Sequence, residues 1–505
     1  MSIPAPSVEY VALSPLLIVF GGAVIGVAVE AFAPHRNRLV LQRLIGVGAM
    51  SAAFVAVVMV SGRHHVAAMG SVAVDGPALF LQGTILLLGI AALTLIADER
   101  LGAFCPQAST VPGTDAEAEA ARSGKRQTEV FPLTLFAVAG MMLFPAANDF
   151  LTMFVALEVF SLPLYLLCGL ARHRRLISQE AALKYFLLGA FSSGFFIFGV
   201  ALLYGASGTF TLSGVGAAAT AGSTSMALVG VALVSAGLLF KVGAVPFHSW
   251  VPDVYQGAPT PISAFMATAT KVAAFGALLR VFHLALPGFE VGWRPVLSAV
   301  AMLTMIVASV LTVTQTDVKR LLAYSSVANA GFILTGVVAA GDSGLSSTMF
   351  YLVAYGFSTL GAFAVAGMVR GDDGREDTNL AHWAGLGRRS PIAAAVLGLF
   401  LLAMAGIPLT SGFVSKFAVF EAAMASGAGI LVGAGVVSSA IAAFAYARVI
   451  VLMFFTEPTA RTPRAVTPGR LSAAAVTVGA AVTVGLGVAP QPLLDLVDHA
   501  GTFVS

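Results

Sequence analysis

Four lysines lie inside long apolar stretches of the sequence, where a charged side chain is costly. They are Lys184, Lys241, Lys271 and Lys416, out of six lysines in the chain. Of the twenty-one arginines, only Arg448 lies more than five residues from both ends of such a stretch. A charge at mid-membrane costs roughly 2.5–3.5 kcal/mol on insertion scales. Because buried lysine gives up its proton readily and arginine does not, this division favours a relay that accepts and releases protons.

A carboxylate is available to balance one of these lysines. Glu158 lies in the middle of the apolar run 149–171, and Lys184 lies about two turns into the next run, 178–204. Runs joined by a short connection are expected to pack as antiparallel neighbours. The sequence therefore predicts a Glu158–Lys184 ion pair that sets the proton affinity of both groups, with a static pair that fixes helix packing as the alternative.

The predicted depths of the lysines form a series across the membrane. Lys184 is expected in the inner half, Lys271 near the midplane and Lys416 in the outer half, while Lys241 precedes a break in its own run. Neutral lysine accepts a proton and lysinium donates one, so such a series with water between its members would conduct protons. His248 follows the same break and could bridge Lys241 to Lys271, because imidazole titrates near neutrality. A hydrogen-bonded structural histidine is the alternative.

Two apolar runs are too long for one simple helix, and each contains a glycine and a proline. One reads Lys-Val-Gly-Ala-Val-Pro-Phe-His around Pro246, and the other reads Gly-Ile-Pro-Leu-Thr-Ser-Gly around Pro408. Proline frees a backbone carbonyl, which lipid tolerates only where the backbone lines protein or water. Broken helices five spans apart predict two inverted five-helix repeats, spans 4–8 and 9–13.

The composition predicts that these sites belong to an all-α integral membrane protein. Hydrophobic residues make up 58% of the 505 residues, charged residues make up 10%, and the mean hydropathy is +0.92. A soluble globular protein has about 25% charged residues. A span needs about 20 mainly apolar residues. We count about fourteen runs, at 11–32, 39–61, 76–97, 130–147, 149–171, 178–204, 223–254, 261–283, 295–315, 321–340, 346–369, 391–426, 429–455 and 471–489.

The runs predict one polytopic membrane domain over residues 1–505. Three leading helices would lie in 1–97, a polar cytoplasmic loop in 98–129, the repeats in 130–283 and 295–455, and a final helix in 471–489. The odd-numbered loops and the run ends that adjoin them hold nineteen Lys and Arg residues, whereas the even-numbered loops with their adjoining run ends and both termini hold three, Arg63, Arg280 and Arg294. Positive residues remain in the cytoplasm, so both termini are predicted outside.

Several other classes of function find no support in the sequence. Cys105 and Cys168 form no CxxC or Cys/His cluster, which predicts no metal site and no disulfide framework. No nucleotide-binding motif occurs, and the net charge of +3 carries no nucleic-acid signature. The first apolar run has no signal-peptide pattern before it and is expected to be retained as a span. The short charged segment from Asp317 to Arg320 is expected to be a structural cytoplasmic turn.

Two longer motifs resemble the antiporter-like membrane subunits of respiratory complex I. One runs from Phe240 to Pro261, as FKVGAVPFHSWVPDVYQGAPTP, and the other runs from Asp317 to Ser326, as DVKRLLAYSS. The resemblance covers essentially the whole chain. It implies fourteen spans, inverted repeats, and proton-translocating residues on spans 5, 6, 7, 8 and 12, onto which Glu158, Lys184, Lys241, Lys271 and Lys416 fall. Asn329 departs from the pattern, since a histidine is common there.

The resemblance also implies where the rest of the chemistry takes place. NADH, FMN, iron–sulfur clusters and quinone would be bound by partner subunits, and this chain would hold no cofactor, no metal and no redox site. Its neighbours would be other antiporter-like and small membrane subunits in a bacterial inner membrane. Two alternatives remain open: a subunit of a cation/proton antiporter or membrane-bound hydrogenase, and a stand-alone solute transporter.

Overall fold

The chain folds almost entirely into helices. The computed structural model describes residues 8–106, 109–111, 113–122, 127–173, 175–222 and 224–504. Its α-helices are α1 (Tyr10–Phe32), α2 (His35–Val60), α3 (Gly76–Ile96), α4 (Asp115–Arg122), α5 (Val130–Leu143), α6 (Phe150–Cys168), α7 (Arg175–Ser207), α8 (Leu212–Ala221), α9 (Ser225–Val242), α10 (Trp250–Gly257), α11 (Thr260–Arg280), α12 (Glu290–Thr314), α13 (Val318–Ala339), α14 (Gly341–Met368), α15 (Leu386–Arg389), α16 (Pro391–Ala405), α17 (Ser411–Ala425), α18 (Gly429–Phe455), α19 (Arg470–Val488) and α20 (Gln491–His499).

The described residues contain two short antiparallel strand pairs, a hairpin and a pair formed by two distant segments. Strand β1 (His65–Ala67) pairs with β2 (Val72–Val74), and β3 (Val369–Arg370) pairs with β4 (Arg464–Ala465). The hairpin joins α2 to α3. The second pair ties the end of α14 to the segment before α19.

The helices confirm the predicted class of all-α membrane protein. Within the described ranges, twelve helices are long and apolar enough to cross a membrane. The shorter apolar helix α5 and the interrupted pair α16 and α17 would bring the number of crossings to the expected fourteen. That total, and the inverted relation between the repeats, remain predictions because helix length alone does not establish a crossing.

Three helices form the centre of the molecule. In the most apolar stretch of α11 every residue is buried, and 94% of the residues are buried in the corresponding stretches of α13 and α14. In α2 and α19 only about a third of the residues are buried, so those helices present most of their side chains to the surroundings. A helix that is apolar on all sides and fully enclosed is typical of the core of a bundle, and Lys271 lies in such a helix.

The structure confirms the two predicted interruptions. Helix α9 ends at Val242 and α10 begins at Trp250, while α16 ends at Ala405 and α17 begins at Ser411. Each first half stops at a left-handed glycine, Gly243 with φ +72° and Gly406 with φ +82°. The residue after each glycine donates its N–H five residues back, Ala244 to Leu239 and Ile407 to Leu402. Both breaks therefore use the same glycine-terminated helix end.

The polar loop near residue 115 is anchored to the start of α7. Arg175 pairs with Glu117 of α4 at 2.9 Å. The backbone N–H of Gly113 and then this arginine lower the pKa of the Glu117 carboxyl. In the adjoining connection, burial lowers the pKa of His173, and the nearby Arg172 and Arg375 act in the same direction.

One prediction about loop residues is wrong. Arg280 was assigned to an outer loop, but its side chain is fully buried at the end of α11. It donates to both carboxylate oxygens of Asp75 at 2.7 Å and to the carbonyl of Pro145 at 2.6 Å. Asp75 also caps α3 and accepts the N–H of Val504. The burial is possible because the arginine finds its counter-charge more than two hundred residues away in sequence, which periodicity does not reveal.

Candidate functional site

Lys241 lies at the end of the first half-helix, α9, in an aromatic pocket. Its side chain is 4% exposed, and its ammonium donates to the Ser161 hydroxyl at 2.7 Å. That hydroxyl in turn donates to the carbonyl of Leu157. Three rings surround the ammonium, with centroids at 5.0 Å for Phe160, 5.8 Å for Tyr165 and 5.3 Å for Tyr185. The first acceptor of Lys241 is therefore neutral, and π faces supply much of its electrostatic surroundings.

Lys271 is the most enclosed of the four lysines. It is the twelfth residue of the 21-residue helix α11, and its side chain is 1% exposed. At ~1.5 Å per residue it lies about halfway along a helix that could cross a ~30 Å hydrocarbon core. Its ammonium donates to the backbone carbonyl of Ser326 in α13 at 2.5 Å, and the Tyr355 ring lies 5.8 Å away.

Lys416 binds the end of the second broken helix. Its ammonium donates to the carbonyls of Met404 at 2.9 Å and Ala405 at 3.1 Å, and to the Ser439 hydroxyl at 2.9 Å. Those carbonyls belong to the last turn of α16, where helices leave acceptors unused and carry partial negative charge. The Phe332 ring centroid is 4.6 Å from the ammonium. The break thus builds a cation site for Lys416 without a carboxylate.

A network of hydroxyl groups adjoins the Ser326 acceptor of Lys271. The Ser326 hydroxyl bonds the Tyr355 hydroxyl at 2.7 Å, and Tyr355 donates to the Ala267 carbonyl in α11. The neighbouring Ser325 bonds Tyr446 at 2.5 Å. Asn329, where the family pattern has a histidine, accepts from the Tyr351 hydroxyl at 2.8 Å. The centre of the protein therefore contains a polar network of neutral groups in an otherwise apolar bundle.

The predicted Glu158–Lys184 ion pair is wrong. Lys184 pairs instead with Glu180 at 2.7 Å and Asp253 at 2.8 Å. The register between α6 and α7 explains this: Tyr165 packs against Gly189, and Phe154 stacks on Phe196. Lys184 therefore lies opposite the end of α6, roughly ten residues or ~15 Å along the helix from the level of Glu158. That offset exceeds what two side chains span.

The nearest relation of Glu158 to the lysines is with Lys241. Ser161, the acceptor for Lys241, lies one turn after Glu158 on the same helix, and the carboxylate acts electrostatically on this lysine. The Oε1 atom of Glu158 is buried and has no hydrogen-bond partner within the described residues. The carboxylate is thus placed to influence Lys241 without binding it directly.

Lys184 belongs to a charged cluster near the surface rather than to the core. Its side chain is 42% exposed, and its partner Asp253 also accepts from Arg320 at 2.7 Å. Asp253 therefore joins α7, α10 and α13. In the charged turn before α13, Asp317 has a structural role because its carboxylate caps that helix. Its Lys319, however, is buried and donates to the Ala258 carbonyl at 2.7 Å.

His248 and Arg448 occupy less central positions than the buried lysines. His248 is half-buried in the segment between α9 and α10, and its ring lies 6.4 Å from that of Tyr324. Within the described residues it forms no hydrogen bond with Lys241 or Lys271, so its relay role remains a prediction. Arg448 donates to the carbonyl of Gln315, one of the partners expected for an arginine inside a span.

Several partners in the site were missed from the sequence. The serines Ser161, Ser326 and Ser439 were overlooked because serine in a helix most often bonds its own backbone. A signal for Ser161 existed: it lies at i+3 from Glu158 and so shares its face. Asp253 could have been found as the acidic residue that follows the first break. Within the residues the structure describes, no cluster of three potential metal ligands occurs.

A bundle of membrane-spanning helices with two interrupted members and buried lysines at the breaks is an antiporter-like membrane fold. The family described as NADH:quinone oxidoreductase/Mrp antiporter, TM, matches residues 147–442. NADH-quinone oxidoreductase subunit N of Rhodococcus opacus is 63% identical, over 99% of this chain and 97% of that protein. Subunit N of Mycobacterium tuberculosis H37Rv is 61% identical, over 99% of each. The chain belongs to the NADH-quinone oxidoreductase subunit N family.

Solved structures agree with this assignment. A chain of respiratory complex I from Thermus thermophilus with bound aureothin matches with a TM-score of 0.79 at 30% identity, over 96% of this chain and all of that chain. A chain of the Mrp complex from Dietzia matches with a TM-score of 0.84 at 22% identity, over 98% and 97%, and this likeness shows the fold alone. The resemblance inferred from the two sequence motifs is confirmed.

Proposed function

We propose that this chain carries protons across a bacterial inner membrane as a subunit of NADH:quinone oxidoreductase, through Glu158, Lys241, Lys271 and Lys416. The observation that carries the proposal is the set of acceptors around the three lysines. All three are at most 6% exposed, and their hydrogen-bond acceptors in the described residues are hydroxyls and carbonyls. A neutral acceptor holds lysinium without fixing its charge as a close carboxylate would, so both protonation states remain accessible.

The proposed sequence of transfers follows the two breaks. Lys241 and Lys416 each lie beside the end of a half-helix, where water and free carbonyls are tolerated, and Lys271 lies between them in the enclosed core. Protons would pass from Lys271 towards Lys416 along the network of Ser325, Ser326 and their tyrosines. Glu158 would favour charge on Lys241. Lys184 and His248 keep a proposed accessory role at the cytoplasmic end and at the first break.

Redox chemistry belongs to partner subunits in this proposal. NADH, FMN, iron–sulfur clusters and quinone would be bound elsewhere in the assembly, and quinone reduction there would drive transfer here. Other antiporter-like and small membrane subunits would flank this chain. A cation/proton antiporter is the second candidate, since the description of the matching family also names Mrp antiporters. Co-purification with flavin-containing subunits, and pumping that needs no sodium, would separate the two.

Glu158→Gln tests the proposal at its carboxylate. The variant removes a charge but keeps size, so we expect normal assembly and about tenfold slower proton pumping, equivalent to ~1.4 kcal/mol. The measurement is NADH-driven acidification of sealed vesicles, normalised to assembled complex. Glu180→Gln is the matched control, because Glu180 is an exposed partner of Lys184, and its effect should stay within about twofold. Unchanged pumping in Glu158→Gln would remove this carboxylate from the pathway.

The proposed orientation has its own test. Cysteines placed at Asp115 in α4 and at Thr220 in α8, both exposed, should react with a membrane-impermeant maleimide from opposite faces, Asp115 from the cytoplasm. The natural Cys105 and Cys168 are buried and should give little background. Labelling of both sites from one face would show that a span between them has been miscounted.

A further inference from the structure

We propose that Phe160, Tyr165 and Tyr185 form an aromatic cage that positions the Lys241 ammonium and stabilises its positive charge. The inference deepens the proposed function and rests on it. Lys241 is 4% exposed, yet none of the ion pairs of the described residues includes it, and its recorded donor contact is the neutral Ser161 hydroxyl. The Glu158 carboxylate acts electrostatically on this cation but forms no ion pair with it among the described residues. Three π faces within 6 Å add negative potential directly around the ammonium.

Contacts between rings hold the two tyrosines of the cage in place. Tyr165 and Tyr185 meet edge to face at 4.7 Å, and Tyr185 stacks on Trp250 at 4.8 Å. The Trp250 indole donates to the carbonyl of Phe240, next to Lys241 at the end of α9. One stack of rings therefore connects α6 and α7 to both sides of the first break. A shift of α10 relative to α9 would move the rings against the ammonium they surround.

Gly189 gives Tyr165 its place in the cage. A Cβ at residue 189 would overlap the Tyr165 hydroxyl and crowd its ring. The hydroxyl is buried and has no hydrogen-bond partner in the described part of the chain. Steric fit against α7 therefore helps to determine where the Tyr165 ring lies. Residue 189 consequently offers a way to displace the ring without altering any charged group.

A fluorine series at Phe160 tests the cage through its electrostatics. Each fluorine withdraws charge from the ring face while leaving its shape nearly unchanged, so cation–π attraction falls stepwise. In the assembled complex carrying one, two or three ring fluorines at Phe160, NADH-driven proton pumping should fall in the same order, by roughly threefold or more at three fluorines. Phe150 is the control: it is buried on the same helix against Phe196, away from any recorded cation. Proton pumping should not change with the number of fluorines at Phe150.

Gly189→Ala provides a second variant that does not depend on unnatural residues. It should lower pumping severalfold in assembled complex, whereas Gly194→Ala on the same helix, where a Cβ meets nothing within 4 Å, should not. A flat Phe160 series, or equal slopes at Phe160 and Phe150, would overturn the cage. If Lys241→Gln also pumped normally, the proposed function itself would fail. A flat series with an inactive Lys241→Gln would reject the cage alone.

Discussion

Lys271→Ala should abolish proton pumping, with a loss on the order of hundredfold, while the complex still assembles. The residue is enclosed at the middle of α11, and its ammonium reaches across to the Ser326 carbonyl of α13. Removing it takes away the buried ammonium that joins the middle of α11 to α13. Alanine suits a helix and buries no new charge, so folding should survive. The measurement is vesicle acidification per assembled complex.

Lys184→Ala is the comparison for this variant. Lys184 is also a lysine in an apolar run, but its side chain is 42% exposed and paired with two carboxylates. Exposed ion pairs contribute little, about 0–1 kcal/mol, so the loss should be severalfold at most. Near-normal pumping by Lys271→Ala, or an equal loss in both variants, would contradict the claim that Lys271 is required for proton transfer in a way that Lys184 is not.

The second large effect concerns assembly rather than transport. Asp75→Asn should lower the stability of the subunit by about 3–5 kcal/mol, because it leaves Arg280 buried without its counter-charge. The same change weakens the cap of α3 and the contact to Val504. Little assembled complex should be recovered from membranes, and its thermal unfolding should begin at lower temperature.

A control variant elsewhere in the chain and a double variant at the Asp75–Arg280 pair separate the effect of charge from that of packing. Asp373→Asn breaks the exposed pair with Arg375 and should change little. Replacing both buried partners, as Asp75→Asn with Arg280→Met, should recover part of the lost stability because no unpaired charge then remains. If the Asp75→Asn variant yielded as much assembled complex from membranes as the wild type, the buried ion pair would be dispensable.

The composition and apolar runs were sufficient to predict the class of fold and the location of most lysines. Hydropathy locates spans because the backbone must satisfy its hydrogen bonds within the membrane, and glycine with proline marks where a helix must stop. Both breaks and the place of Lys271 near the middle of its helix followed from those rules. Arg280 was placed wrongly because a hydropathy pattern does not distinguish an arginine in a loop from one that is buried in an ion pair at the end of a span.

The partners of the charged residues could not be predicted in the same way. Whether Glu158 meets Lys184 depends on the register of α6 against α7, which in the structure places Tyr165 against Gly189 and Phe154 against Phe196. A shift of a few residues changes which pair is in reach. The serine and carbonyl acceptors depend on helix crossings between distant parts of the chain. The aromatic cage had no signal either, since rings in apolar helices are most often plain core residues.

The measurement that tests the central claim most directly is proton pumping by Lys271→Arg in the purified, vesicle-reconstituted complex. Arginine keeps a positive charge and a hydrogen-bond donor at this position but does not release its proton. If Lys271 carries protons, Lys271→Arg should pump as poorly as Lys271→Ala, with equal amounts of assembled complex. If arginine restored pumping to the wild-type level, Lys271 would be a fixed structural cation, and the account of a lysine relay would be contradicted.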